Sequence, residues 1–282
     1  MHNIALSWRQ AAVLTAALGA MYLALRMAGS AGARKMAPFA RETCLIAGLY
    51  SLWQLAGELS VTGTTGALGR AEWIERVEHD LWLPTEASVQ RLVTDHPVLT
   101  QGANLYYASM HFGALFVFLI WLFVRHRPSY PAVRTTLALT TLVCLLIQLV
   151  PVAPPRLLAG YVDTAAQYGQ SVYSLGFGAD ELSAMPSVHV AWAVLIAWYA
   201  ARLSSSPWRW IGTAHAVLTM LVVVSTANHW WLDGIVAVLV LAGCAWIRAG
   251  AVMLVRTFIA RREAAPVRLP APREGALPDP GR

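Results

Sequence analysis

Apolar residues in this chain gather into seven blocks, each close to the length of a bilayer crossing. The blocks run over 10–27, 42–59, 104–124, 133–151, 186–202, 209–226 and 230–247. A crossing takes about 20 mostly apolar residues. The pattern predicts an all-α polytopic transmembrane helical bundle of about seven spans, a six-helix core preceded by an N-terminal helix. The first block shares features with a signal peptide. However, Arg26, Arg34 and Lys35 follow it at once, whereas a signal peptide carries its charge ahead of the apolar run. We read it as a retained helix. Between the second and third blocks, 71-AEWIERVEHDLWLP-84 places Trp73, Ile74, Val77, Leu81 and Trp82 near helical spacing, with acids on the other side. That predicts an amphipathic helix lying on the membrane interface. Residues 62–66 read as a polar turn and 152–185 as irregular chain rich in Pro, Gly, Tyr and Ser. Residues 248–262 read as an extension of the last helix, and the proline-rich tail as disordered. The expected divisions are 1–103, with two spans and the amphipathic loop; 104–262, a membrane domain carrying the chemistry; and 263–282, the tail.

Composition sharpens this picture. Of 282 residues, 57% are hydrophobic and 13% charged, against about a quarter charged in an ordinary soluble domain. That excludes a soluble protein with one core. Basic residues sort to alternate connections: Arg26, Arg34, Lys35 and Arg41; Arg125, Arg127 and Arg134; Arg202 and Arg209; and Arg256, Arg261, Arg262, Arg268 and Arg273 after the last span. The acids Glu72, Glu75, Glu78, Asp80, Glu86, Asp95, Asp163, Asp180 and Glu181 fall on the other side. The positive-inside rule then puts the N-terminus outside and the C-terminus in the cytoplasm. The net charge of +6 is mostly this cytoplasmic collar, suited to anionic lipid heads, and implies no nucleic-acid partner. Cys44, Cys144 and Cys244 lie in or beside spans without close partners and read as small apolar fillers.

Ionisable residues inside spans are costly and point to function. Here they are Glu58, His111, His189, His215, His229 and Asp233. The expected topology puts His189, His229 and Asp233 at one level, about one turn inside the outer surface, with Arg156 just beyond the fourth span. His229 and Asp233, four apart, share a helix face. A carboxylate there fixes the imidazole tautomer and raises its basicity, giving a nucleophile or base. The pair alone also fits a capped helix start. His189 follows 185-MPS-187, where Pro186 suits a first helical position and Ser183 or Ser187 a cap. The free N–H groups of such a helix start suit phosphate. Arg156 ends the stiff run 151-PVAPPR-156, where an arginine suits bidentate phosphate binding or interfacial snorkelling.

Together, 151-PVAPPR-156, 184-AMPSVHVAWA-193 and 226-TANHWWLDGIVA-237, with a weaker 106-YYASMHF-112, resemble the type 2 phosphatidic acid phosphatase superfamily over about 104–250. The likeness is greatest to the branch related to inositol phosphorylceramide synthase, the aureobasidin-resistance-like group with its actinobacterial members. The resemblance implies a lipid-phosphate phosphatase or phosphotransferase in a bacterial cell membrane, with the site facing outside. His229 would form a phosphohistidine, Asp233 would orient and charge it, and His189 would protonate the departing alcohol and then activate the acceptor. Arg156 and Ser187 would hold phosphate, with no metal and no cofactor. The implied partners are a membrane lipid phosphate and an alcohol acceptor such as inositol. The superfamily's Ser-Arg pair ahead of its third motif is replaced by Val222 and Val223. Asn228, Tyr106, Tyr107 and His111 are the candidates to supply the missing contacts, although His111 also reads as a packing residue. Glu58 and His215 gain no partner from the sequence. Two histidines and a carboxylate also suit a metal-dependent membrane hydrolase, and intramembrane polar groups suit a transporter or non-catalytic scaffold.

Overall fold

The computed structural model describes residues 6–60, 66–171 and 181–263. The expected tail and Asp180 lie outside these residues, as do most of the 62–66 turn and the Glu58 side chain. The chain is an all-α polytopic bundle. Its helices are α1 Trp8–Met27, α2 Ala31–Ser60, α3 Ala67–Asp80, α4 Glu86–Thr94, α5 Pro97–Arg125, α6 Tyr130–Gln148, α7 Thr164–Gln167, α8 Val188–Leu203, α9 Trp210–Ser225 and α10 Trp231–Glu263.

Every apolar block lies on a helix, but not every such helix is a span by length and hydropathy. Among the described residues, five are long and apolar enough to cross a membrane: α1, α5, α6, α9 with its short leading turn, and α10. α2 is long enough in residues but carries Arg34, Lys35, Arg41 and Glu42 in its first half. α8 has only 16 residues, about 24 Å of helix against a hydrocarbon core of about 30 Å. It begins two residues after Pro186 rather than at it. Ser187 is the N-cap, its Oγ accepting from the Val190 N–H at 3.4 Å, and Pro186 precedes it after a cis peptide bond.

Within the unit Met1–Ala245, α1 and α2 form a helical hairpin. The Gln54 side chain donates to Leu6 O at 2.7 Å and Ser51 to Trp8 O at 3.0 Å. α2 joins α6 through an Arg134–Glu42 ion pair. α8 and α9 touch closely through Gly212, where a Cβ would lie 3.2 Å from Ala197 Cα and 3.3 Å from Ala200 Cβ. Small residues allow this approach where no hydrophobic effect drives helices together. The core of the bundle gathers Leu115, Phe118, Leu122, Val133, Leu195 and Leu241. The unit Trp246–Arg282 is described as far as Glu263; its helix continues the extension expected there and exposes Trp246, Met253 and Leu254.

The amphipathic segment is helical, with a difference in which face is covered. Ala67, Ala71, Ile74 and Glu78 are buried, one residue per turn, while Trp73, Leu81 and Trp82 are exposed. The expected apolar stripe is thus split: Ile74 packs into the protein and Val77 is half-buried, while Trp73, Leu81 and Trp82 face outward. The covered face is narrow because small residues let α3 sit directly on the Pro151 segment. Arg70 Nε donates to Pro151 O at 2.6 Å, and the Ala153 N–H donates to Ala67 O at 3.2 Å. The second short helix, α4, was not legible in the pattern.

Candidate active site

Three distant stretches meet at one end of the bundle, and their backbones are bonded to one another. Val152 N–H donates to Leu182 O at 2.6 Å, and Ala184 N–H to Val152 O at 3.2 Å. Arg156 N–H donates to Ala227 O at 2.9 Å, and Ser187 N–H to Asp233 O at 3.1 Å. Trp230, fully buried, donates its indole N–H to Ala153 O at 3.0 Å. It packs with Ala67, Ala71, Ile74, Val152 and Ala184. At the end of α6, Gln148 Nε2 donates to Pro186 O at 2.9 Å. The prolines keep the 151–156 stretch out of helix and leave its carbonyls available as acceptors.

This scaffold fixes His229 in one tautomer. Its Nδ1 lies 2.8 Å from Ala184 O and 3.2 Å from Asp233 Oδ2. Both neighbours are acceptors, so the neutral ring carries its proton on Nδ1 and its lone pair on Nε2. Asp233 is fully buried, and its Oδ2 also accepts from the Trp230 N–H at 2.8 Å. The contact expected from the spacing is therefore present, but His229 precedes α10 rather than lying on it, so the pair meets across the capped start of the helix, with Ala184 O as a second anchor that sequence could not supply.

His189 sits on the first turn of α8, its ring centroid 5.6 Å from that of His229. Tyr107 stacks on it at 4.4 Å, and His111 lies at 3.9 Å. His111 is in turn stacked parallel on Trp192 at 4.2 Å. Trp192 donates to Thr141 at 2.9 Å. Tyr107 and His111 are thus gathered around His189. Tyr106 is directed elsewhere: its hydroxyl lies 2.6 Å from His215 Nδ1 and 3.2 Å from Thr219 Oγ1. That contact gives His215 the partner its sequence position did not reveal.

Arg156 is buried. It donates from Nη1 to Asn228 Oδ1 at 3.1 Å and from Nε to Asp163 Oδ2 at 3.3 Å. Asn228 Nδ2 donates to Thr226 at 2.8 Å, which fixes the amide with its oxygen toward the arginine. Asn228 therefore adjoins His229 and Arg156 together. Asp163 was read only as a loop acid. It is placed by α7, whose Ala166 N–H it accepts at 2.8 Å, and by clamps on the 161–164 loop from Gln90 and Asn104.

Glu78 and Glu86 are likewise missed by sequence reasoning. Both are buried. Glu78 Oε1 accepts the Leu232 N–H at 2.7 Å, and Glu86 Oε1 the Trp231 N–H at 3.3 Å. They hold the first turn of α10, whose free N–H groups and positive dipole end favour such acceptors. Burial, reinforced by the neighbouring Glu86, pushes the Glu78 carboxyl up to about 9. The only sequence signal was one acid in the amphipathic stretch and one just after it, indistinguishable from a solvated face.

A cavity of about 790 Å³ adjoins the site. His111, His189, Asn228 and His229 line it together with Gln148 and Ser183, and the rest of its wall is largely apolar. Among the described residues, no three His, Cys, Asp or Glu side chains converge as a metal site.

Residues 72–247 match the family model described as the PAP2 superfamily. The matched stretch begins within α3 and ends within α10, leaving out α1 and α2. No curated protein and no solved structure gives a significant match.

Proposed function

The chain belongs to the PAP2 superfamily, and from that premise we propose that it is a phosphatase-type membrane enzyme that attacks a lipid phosphate through His229. The observation that carries the reading is the double acceptor at His229 Nδ1, which leaves Nε2 as the nucleophilic atom at a cavity wall.

The lone pair of His229 Nε2 attacks phosphorus. The bond from phosphorus to the ester oxygen breaks as the new P–N bond forms. His189, holding a proton at the start, gives it to the departing oxygen, so the lipid alcohol leaves neutral. His189 then takes a proton from the acceptor, whose oxygen attacks phosphorus and releases His229. With water as acceptor the product is phosphate; with an alcohol such as inositol it is a new phosphoester. Asp233 stabilises the positive charge that His229 acquires. Arg156, held flat by Asn228 and Asp163, and the N–H groups at the start of α8 supply the charge stabilisation that phosphoryl transfer requires. The alternation of basic residues, taken with α2 and α8 as crossings, supports a site on the outer face with the C-terminus in the cytoplasm, and the resemblance of the motifs supports a bacterial cell membrane.

The test is turnover of a panel of labelled lipid phosphates by purified protein, with and without inositol, scoring phosphate release and headgroup transfer separately. His229→Ala should abolish both while leaving the folded protein intact; retained turnover refutes the mechanism. Inhibition by vanadate without sensitivity to chelators is expected, and a requirement for bound metal would favour a metal-dependent hydrolase instead.

A further inference from the structure

The cavity beside the histidines reaches well beyond the reacting groups, and one of its walls comes from outside the stretch that the family model covers. Along α2 its lining runs from Trp53, level with the site, to Thr43. Along α6 it runs from Gln148 to Leu137. Ten or eleven residues of helix correspond to about 15 Å, half of a hydrocarbon core of about 30 Å. The polar lining is concentrated at the end where His189, His229 and Asn228 lie, while Ile46, Ala47, Leu119 and Leu137 make the deeper part apolar. A closed helix–helix interface would leave no such volume. Instead, α2 meets α5 through aromatic contacts such as Trp53–Phe112 at 5.6 Å, and the glycine at position 113 leaves open space where a side chain would stand.

We propose that the α1–α2 hairpin closes a slot one leaflet deep that takes the hydrocarbon chain of the substrate, and that residues of α2, α5 and α6 set the chain length accepted. This rests on the lipid-phosphate reading of the histidine site. The polarity gradient matches such a molecule, with the phosphate end at the histidines and the chain end between Thr43, Leu119 and Leu137. The substrate class is accordingly a phosphorylated lipid with a linear chain of about 15 Å, the reach of the slot.

Gly113→Leu tests the slot. The new side chain enters open space, and leucine is the better helix former, so loss of folding is not the expected result. Kinetics are measured on a ladder of monoalkyl phosphates from short, water-soluble members to long-chain ones. Wild type should gain up to roughly fourfold in kcat/KM for each methylene that the slot takes from water, among the monomerically dissolved members, and then level off. In Gly113→Leu the ratio of long-chain to short-chain kcat/KM should fall by tenfold or more. Val117→Leu, on the exposed side of α5 and outside the slot, should leave the ratio unchanged. An unchanged ratio in Gly113→Leu overturns the proposal.

A second measurement does not depend on turnover. An alkyl phosphate with a diazirine at its chain end is photolysed on the His229→Ala protein, and the labelled residues are mapped. Labelling at Thr43–Ala47, Leu119 or Leu137 supports the slot. Labelling confined to outward residues such as Val117 and Leu239 overturns it. If the slot is labelled but wild type releases no phosphate from any lipid, the slot stands and the phosphatase reading fails. If phosphate is released without chain-length dependence, the phosphatase reading stands and the slot fails.

Discussion

Asp233→Asn separates charge from geometry at the nucleophile. Both hydrogen bonds of Asp233 converge on Oδ2, from the Trp230 N–H at 2.8 Å and from His229 Nδ1 at 3.2 Å. Its Oδ1 is buried without a partner among the described residues. An asparagine can therefore put its carbonyl oxygen at the Oδ2 position and keep both bonds. Ala184 O, 2.8 Å from His229 Nδ1, keeps the tautomer as well. What is lost is one negative charge beside a ring that becomes positive on phosphorylation. At 3.2 Å and an effective dielectric of about 20, that attraction is about 5 kcal/mol as an upper figure. Relaxation and the surviving neutral hydrogen bond reduce the loss to about 3–4 kcal/mol, or about 10²–10³ in kcat/KM. In hydrolase triads where the substitution produces the wrong tautomer, the loss is about 10⁴. The assay is steady-state phosphate release in detergent or vesicles, with the melting temperature measured in parallel. A variant as inactive as His229→Ala, yet folded, would show that the Ala184 anchor does not hold the tautomer. Near-normal activity would show that the carboxylate charge has no part in the reaction.

Other consequences follow from the supporting residues. Because the Glu78 carboxyl is raised to about 9 from an unfolded value near 4.5, the folded state binds its proton more tightly. Its contribution to stability is full below about pH 4.5 and is lost as pH rises toward 9. Glu78→Gln, which keeps the acceptor for the Leu232 N–H, should flatten the decline in melting temperature between about pH 4.5 and 9, and an unaltered decline would exclude Glu78 as its source. Arg156→Lys loses the planar fork that reaches Asn228 and Asp163 together; a fall of about 10–100-fold in kcat/KM is expected, and wild-type kinetics would remove Arg156 from phosphate binding. Gly212→Val pushes its side chain into Ala197 and Ala200 and should destabilise by about 1–3 kcal/mol, read as a lower midpoint in thermal unfolding; no shift would mean that the α8–α9 contact adjusts freely.

The sequence by itself determined the helical, membrane-embedded class, because a bilayer requires long apolar blocks that are visible residue by residue. It also marked His189, His229, Asp233 and Arg156, because ionisable groups stand out against such blocks; the helix spacing suggested the His229–Asp233 contact, although His229 lies just ahead of α10. The Pro-Pro-Arg run and the Ser187 cap were legible for the same local reason. Only the tertiary structure decided what surrounds them. The Ala184 carbonyl on His229 comes from a stretch 45 residues away, and a backbone acceptor leaves no trace in residue type. Glu78 and Glu86 look like surface acids until α3 and α4 fold over the start of α10. The truncated start of α8 depends on the bonds that Pro186 and Ser187 make with α6 and α10. The first two helices lie outside the stretch that carries the motifs, yet they form a wall of the cavity beside the histidines. Empty volume is a property of how helices fail to meet, and no pattern along a single chain encodes it.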